Sequence, residues 1–535
     1  MNILRSPIQR LFLVLLVTAC AGLAVASTDP AQAPASANGA SQTAVASTDP
    51  AVAVATTGGA AAAPSTNPAQ IESAGRTAAP AASPAANAAS TEPTIQQLEQ
   101  KIDELDQRLR AAESKEAAPA GNATPASSPG VAEAVGGPVG VTANVTGFTI
   151  ASGDGNFVIK FGADLQLDSR IFRGTGATGL VDNTLLRRAR PVISGTVFKY
   201  VDYFFRPDFG QGTTVIYDAY VEMKYFSHFK VRVGKFKPGV GLERLQSDDD
   251  TNFVERGLPT LLVPSRDIGF QIAGDFLNRR LTYAVGVFNG VPDNSLSDAA
   301  VSDHRDYSAR LFLSPFQPDH NALSGLGFGM GSSFGNVDGE ALPAYKTFGQ
   351  NSFLPFASGV TEAGHRTRLA PGMYYYIGSF GLLAEDGLTE EGLQKGTVRR
   401  DVAFRAWQVQ ASYVLTGEKK GFGSPAPKRN FDPANHGWGA VELAARVGEF
   451  RAEQGLYNYG FASYTTAPRL AHEVVGGINW YLNQLFRISM DYGRTTFEDG
   501  ATVAAGLNRP VEDALIFRFQ IDFVRTSQSW AYRPE

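Results

Sequence analysis

The sequence predicts an all-β membrane protein: a transmembrane antiparallel β-barrel of about sixteen strands, with an N-terminal disordered linker and a short coiled-coil helix. Three observations predict it. The 377 residues from Gly147 to Phe523 are a succession of segments alternating apolar and polar side chains, separated by Gly, Asp, Asn and Pro turns. The segments are about 9–11 residues long, the length a tilted strand needs to cross a bilayer. Past residue 26 no uninterrupted apolar run approaches the roughly 18 residues of a membrane helix, so any spanning must be done by strands. At about 23 residues per strand and loop, the region holds roughly sixteen strands.

Composition agrees. The 535 residues carry 47 Lys+Arg against 52 Asp+Glu, a formal charge of −5, which is no footprint for a nucleic-acid binder. One cysteine excludes an intramolecular disulfide framework and a Cys-rich zinc site. With 56 glycines, 34 phenylalanines and 19% charged residues, the balance suits aromatic-rich strands.

Taken in order, residues 1–26 read as a signal peptide. Arg5 and Arg10 form the basic start, Leu11 to Val17 the apolar stretch, and Ala24-Val-Ala26 the cleavage site. Val17-Thr-Ala-Cys20 also resembles a lipoprotein acylation site. Residues 27–93 are Ala, Pro, Ser, Thr and Gly, too poor in large apolar side chains to offset ordering entropy. Residues 94–116 read as a helix. Thr94 and Gln97 make a capping box, and Ile95, Leu98, Ile102, Leu105 and Leu109 make an a/d seam of about two and a half heptads. A second linker, 117–146, leads into the barrel at 147–523, and 524–535 follow as a tail.

In the first barrel segment Phe157, Ile159, Phe161, Ala163, Leu165 and Leu167 share one face, with Asp164, Gln166 and Asp168 opposite. In another, Val215, Tyr217, Ala219, Val221, Met223 and Tyr225 share the apolar face, with Asp218, Tyr220, Glu222 and Lys224 opposite. The closing run places Leu515, Phe517, Phe519, Ile521 and Phe523 on one side and Arg518, Gln520 and Asp522 on the other. Tyr374-Tyr-Tyr376 and Trp480-Tyr481 fall where an interfacial aromatic girdle would sit.

Arg187-Arg-Ala-Arg-Pro-Val-Ile-Ser-Gly195 with Asp202 to Asp208, Gly234 to Arg244 closed by Glu255-Arg-Gly-Leu258, Leu415-Thr-Gly-Glu418, Trp438 to Leu443, and Gly477 to Leu482 are stretches of distinctive sequence. Together they resemble the phosphate-selective porin O/P family. They occur in family order across 147–523. The resemblance implies a homotrimeric outer-membrane porin of a Gram-negative bacterium, its third loop folded into the pore, its N-terminal segment periplasmic. It implies passive diffusion of anions, phosphate or polyphosphate, along basic side chains. By matching position Arg187 and Arg188 are paired wall arginines, Asp218 an acidic residue near the binding site, Arg244 a basic residue of the constriction loop, and Arg256 a ladder arginine. Lys346, Arg366 and Arg368 fall where a basic outer vestibule is expected. Partners are then phosphate or other small anions and outer-membrane lipid, with no cofactor and no nucleic acid.

The chain departs from that pattern at Asp248-Asp-Asp250, where Asp249 stands in place of a second lysine. Three carboxylates in a constriction should favour cations, unless they point away or pair with wall arginines. Arg190 and Lys237 are positioned to offset the lost lysine. Two alternatives therefore stand: a general porin with weak or cation-leaning selectivity, and a barrel that mainly anchors the periplasmic coiled-coil segment. An enzyme is not indicated. The six histidines have no metal-ligand spacing, no Gly-x-Ser-x-Gly elbow is present, and Gly325 to Gly331 reads as a strand with Leu326, Phe328 and Met330 outward.

Overall fold

The computed structural model describes residues 139–523, except 146, 175–178, 227, 297, 301, 320 and 505–506, and side chains at 499–508 are left aside. The signal peptide, the first linker, the 94–116 helix and the 524–535 tail all lie outside the described residues.

Strand structure begins at Gly140 and not at Gly147. A hairpin, β1 (Gly140–Asn144) and β2 (Gly147–Ala151), precedes the barrel and pairs onto the start of the next strand, Phe148 opposite Phe161. The wall follows as β3 (Phe157–Arg173), β4 (Asn183–Val197), β5 (Val201–Asp208), β6 (Val215–Phe226), β7 (Phe229–Phe236) and β8 (Asp267–Phe276). It continues as β9 (Leu281–Phe288), β10 (Asp306–Leu313), β11 (Leu326–Glu340), β12 (Val360–Ile377) and β13 (Phe380–Lys395). The last strands are β14 (Val398–Val414), β15 (Ala440–Ala452), β16 (Leu470–Tyr481), β17 (Phe486–Ala504) and β18 (Leu507–Asp522). Each pairs antiparallel with its neighbour, and β18 returns to β3 from Asp513 opposite Arg173 to Asp522 opposite Asp164. Sixteen strands thus close on themselves, which leaves no open edge and satisfies the backbone internally.

The strands are longer than the expected 9–11 residues on one side of the wall, reaching 18 in β12 and 19 in β17, whereas β5 and β7 to β10 have 8–10. Long strands continue past the height a bilayer requires, so length alone under-reports them.

Alternation holds through most of the wall. Phe161, Leu165 and Leu167 point outward and are exposed, while Asp164, Gln166 and Asp168 are buried inside. Tyr374 turns inward and stacks on Phe312 at 5.5 Å, so only Tyr375 of that triplet keeps the outward parity of a girdle residue. The same holds at the end of β16: Tyr481 faces inward, its hydroxyl donating to Glu442 at 2.7 Å.

The lumen is furnished by loops. The longest, residues 237–266 between β7 and β8, is the third on its side of the barrel. It carries a short helix α1 (Leu242–Leu245) and a 3-10 turn (Leu258–Leu262). Gly241, at φ 84°, turns the chain so that the amides of Leu242 and Glu243 donate to the Glu385 carboxylate at 2.5 and 3.0 Å. Gly331 on the wall leaves room for the passing loop, since a Cβ there would lie 2.4 Å from the Gly239 carbonyl oxygen. Leu258, Leu261 and Leu262 then pack with Tyr345 and Phe353 of the β11–β12 loop, Leu456 and Phe461 of the β15–β16 loop, and Phe404 and Phe450 of the wall. Burying each leucine stabilises by about 1.5–3 kcal/mol, enough to hold an otherwise irregular segment inside.

Candidate functional site

The third loop approaches the wall formed by β3 to β6. Two β-bulges decide what the wall presents there. Between β3 and β4 the register passes from Gln166 opposite Arg188 to Leu167 opposite Leu186, leaving Arg187 as the extra residue. That is how two adjacent arginines both reach loop carboxylates in the lumen, although strict alternation would send one to the lipid. Arg187 grips Glu255 with two parallel bonds of 2.7 and 3.1 Å, and Arg188 donates to Gln166.

Between β5 and β6 the register passes from Arg206 opposite Asp218 to Pro207 opposite Ile216. Pro207 has no amide to give the ladder, and Tyr217 is the extra residue. The expectation that Tyr217 shares the outer face with Val215 and Val221 is therefore corrected. Its ring lies among arginines, with the Arg190 and Arg266 guanidinium carbons 3.8 and 3.7 Å from its centroid.

Asp218 does not stand free beside a ligand. Arg206 donates to it at 2.5 and 3.0 Å, and Arg266 approaches it at 3.4 Å. Of the three loop aspartates, Asp248 is docked on the cationic wall. It meets Arg190 at 2.5 Å, Arg188 at 3.6 Å, and Arg256 from its own loop. Burial alone would raise the Asp248 pKa, but Arg256, Arg188 and Arg190 outweigh it and hold the carboxyl well below the usual carboxylate range. Asp249 accepts from Gln166 at 2.9 Å and Ser247 at 3.0 Å. Asp250 accepts from the Ser424 amide at 2.9 Å, in the 415–439 connection that meets the loop from the opposite end of the barrel.

Two cations have neutral partners. Lys237 donates to the Gln246 carbonyl at 2.6 Å. Arg244 donates to the Thr260 carbonyl and the Asn294 amide oxygen, both at 2.5 Å. Neither has a carboxylate within ion-pair distance among the described residues. Burial, then the guanidinium groups of Arg266 and Arg256, push the Lys237 pKa well below the ordinary lysine value of 10.5.

Arg366 and Arg368 do not line an open vestibule. Both are buried and consumed by carboxylates: Arg366 by Glu362 at 2.8 Å, Glu340 at 3.0 Å and Asp306 at 3.2 Å, Arg368 by Asp293 at 2.5 Å and Asp306 at 2.9 Å. Lys346 is exposed on the β11–β12 loop. The structure therefore gathers Arg187, Arg188, Arg190, Asp218, Lys237, Arg244, Asp249 and Arg256 at the loop–wall contact and leaves those three outside it. Sequence reasoning missed Arg206, Arg266 and Tyr217. The signal for the last was Pro207, which breaks a ladder and invites a bulge opposite it.

A closed sixteen-strand barrel with a charged lumen crossed by an inward loop has the architecture of an outer-membrane porin, a channel. The chain belongs to the phosphate-selective porin O and P family, whose model matches residues 159–340 and 351–523. Porin O of Pseudomonas aeruginosa is 25% identical over 378 residues, covering 65% of this chain and 84% of that protein. Among solved structures, the anion-selective porin from Comamonas acidovorans aligns over 68% of this chain and 99% of its own, at 10% identity and TM-score 0.45. The outer membrane channel DcaP of Acinetobacter baumannii aligns over 68% and 98%, at 10% identity and TM-score 0.45.

Proposed function

We propose that this porin passes small oxyanions, phosphate or polyphosphate, between the third loop and the β3–β6 wall. The single observation that carries the reading is the charge left after pairing. Of the three carboxylates expected to repel phosphate, Asp248 is occupied by Arg188, Arg190 and Arg256, while Asp249 and Asp250 accept from neutral donors. Lys237 and Arg244 keep only neutral oxygen partners. A site with cations unneutralised concentrates anions, and the planar guanidinium groups suit two-point contact with phosphate oxygens. The internal carboxylates keep the grip weak enough for release, which conduction requires. The reading includes the homotrimer and the periplasmic N-terminal segment that the family resemblance implies.

The test is the reversal potential of the purified protein in a planar bilayer under a KCl gradient, with phosphate then titrated in. We expect a chloride-selective potential and phosphate block at low concentration. A near-zero or cation-selective potential without block would overturn it, and would put Asp249 and Asp250 in the current path.

A further inference from the structure

Tyr217 is absorbed by none of the roles above. Its ring has Arg190 at 3.8 Å and Arg266 at 3.7 Å. At those distances both guanidinium groups are in van der Waals contact with the ring. Arg206 flanks it at 5.5 Å. Arg188, from the neighbouring strand pair, and Arg244 and Arg256, from the loop, also interact electrostatically with it. Among the described residues nothing hydrogen-bonds its hydroxyl. Like-charged groups held this closely repel by an amount that grows as the local dielectric falls. A ring in contact with both offsets that repulsion with two cation–π contacts, each worth roughly 0.5–2 kcal/mol. A phenol also adds a neutral donor to a site otherwise built of charges.

We propose that Tyr217 is a positioning and specificity-determining residue of the pore: its ring spaces Arg190 and Arg266, and its hydroxyl donates to an oxyanion in transit. Chloride and phosphate differ in what they gain from it. Chloride responds to the summed charge, whereas a tetrahedral oxyanion also uses a directed donor. The proposal rests on the anion-conducting reading, and the experiment separates the failure of each.

Reversal potential and phosphate half-block concentration are measured for the wild type, Tyr217→Phe and Tyr217→Leu. Tyr217→Phe keeps the ring, so its chloride selectivity should match the wild type while half-block by phosphate needs about tenfold more anion, the order expected for losing one hydrogen bond to a charged group. Tyr217→Leu removes the spacer, and both selectivity and block should fall. Wild-type block in Tyr217→Phe would overturn the donor role. Unchanged selectivity in a folded Tyr217→Leu would overturn the spacing role. Should Tyr217→Leu fail to assemble, Tyr217→Trp, which restores an aromatic face without the phenol, takes its place: wild-type selectivity supports spacing and loss of it overturns spacing. A wild type that is itself cation-selective and unblocked overturns the anion reading, and this proposal with it.

Discussion

Lys237 sits at the mouth of the third loop with one carbonyl as its partner and Arg266 and Arg256 facing it. A lysine in that position holds its proton less firmly than an exposed one, because burial and two neighbouring positive charges both disfavour the ammonium. On the acid side the loop carboxylates are locked: Asp248 and Glu255 are both held well below their ordinary values, since arginine contacts outweigh burial. The sign of the pH effect follows. Anion selectivity should be higher below the lowered Lys237 pKa and step down as pH rises through it and Lys237 loses its proton, at a pH well below the ordinary lysine value of 10.5. Reversal potentials from pH 5 to 10 would show the step, and Lys237→Gln should abolish it. A step that persists in Lys237→Gln would assign the titration to another group.

The element that sets the pore is the third loop, and one end of it is pinned by an apolar cluster. Leu258, Leu261 and Leu262 are buried against Tyr345, Phe353, Phe404 and Phe450. Polar anchors are numerous as well: Glu385 on the α1 amides, Asp491 on the Val254 amide at 2.7 Å, Arg187 on Glu255 and Arg190 on Asp248 among them. Leu262→Ala should cost the loop about 2–5 kcal/mol of local packing while leaving the wall's ladder intact. Larger and noisier single-channel conductance, with unchanged heat stability of the barrel, is the expected result. Wild-type conductance would mean the polar anchors suffice. Little of this loop was legible beforehand. Period-two alternation gives strands because every strand obeys it, but Lys237 to Arg266 has no period, and only the family resemblance pointed it inward. Alternation also fails wherever an extra residue enters a ladder. Arg187 was recoverable because two adjacent arginines cannot both follow the alternation, whereas Tyr217 passed as an ordinary apolar-face residue. Arg366 and Arg368 show the converse limit: their positive charge is visible in the chain, but apart from Glu362 on their own strand the carboxylates that neutralise them come from β10, β11 and the β9–β10 loop.

Around the whole barrel the outer surface is of two kinds. Strands β5 to β10, short except for β6, turn outward Phe205, Val221, Val233, Phe270, Val285 and Leu311. The outward charge there, Lys235, is covered by Asp298 at 2.5 Å. Strands β13 to β18 instead turn outward Asp386, Arg405, Glu449, His472, Arg494 and Asp513, joined in part by pairs such as Arg405–Asp386 at 2.7 Å and His472–Glu449 at 3.2 Å. A charge facing lipid costs about 2–4 kcal/mol at the bilayer midplane and about 0–1 near an interface. The charged half can therefore face lipid only with its belt near headgroup level, and its long strands supply that height. The low, uncharged half is the better surface for a neighbouring copy, since in a closed ring one face packs on another without exposing a long wall. Val221 and Val474 test this, being 50% and 56% exposed in the single chain. Each is replaced by cysteine and the membrane-embedded protein is treated with an apolar thiol reagent. In a homotrimer built on the low wall, Val474→Cys labels and Val221→Cys is protected, and dissociating the oligomer before labelling restores the second. Equal labelling of both in the intact membrane would place the low wall against lipid and remove it as the subunit interface.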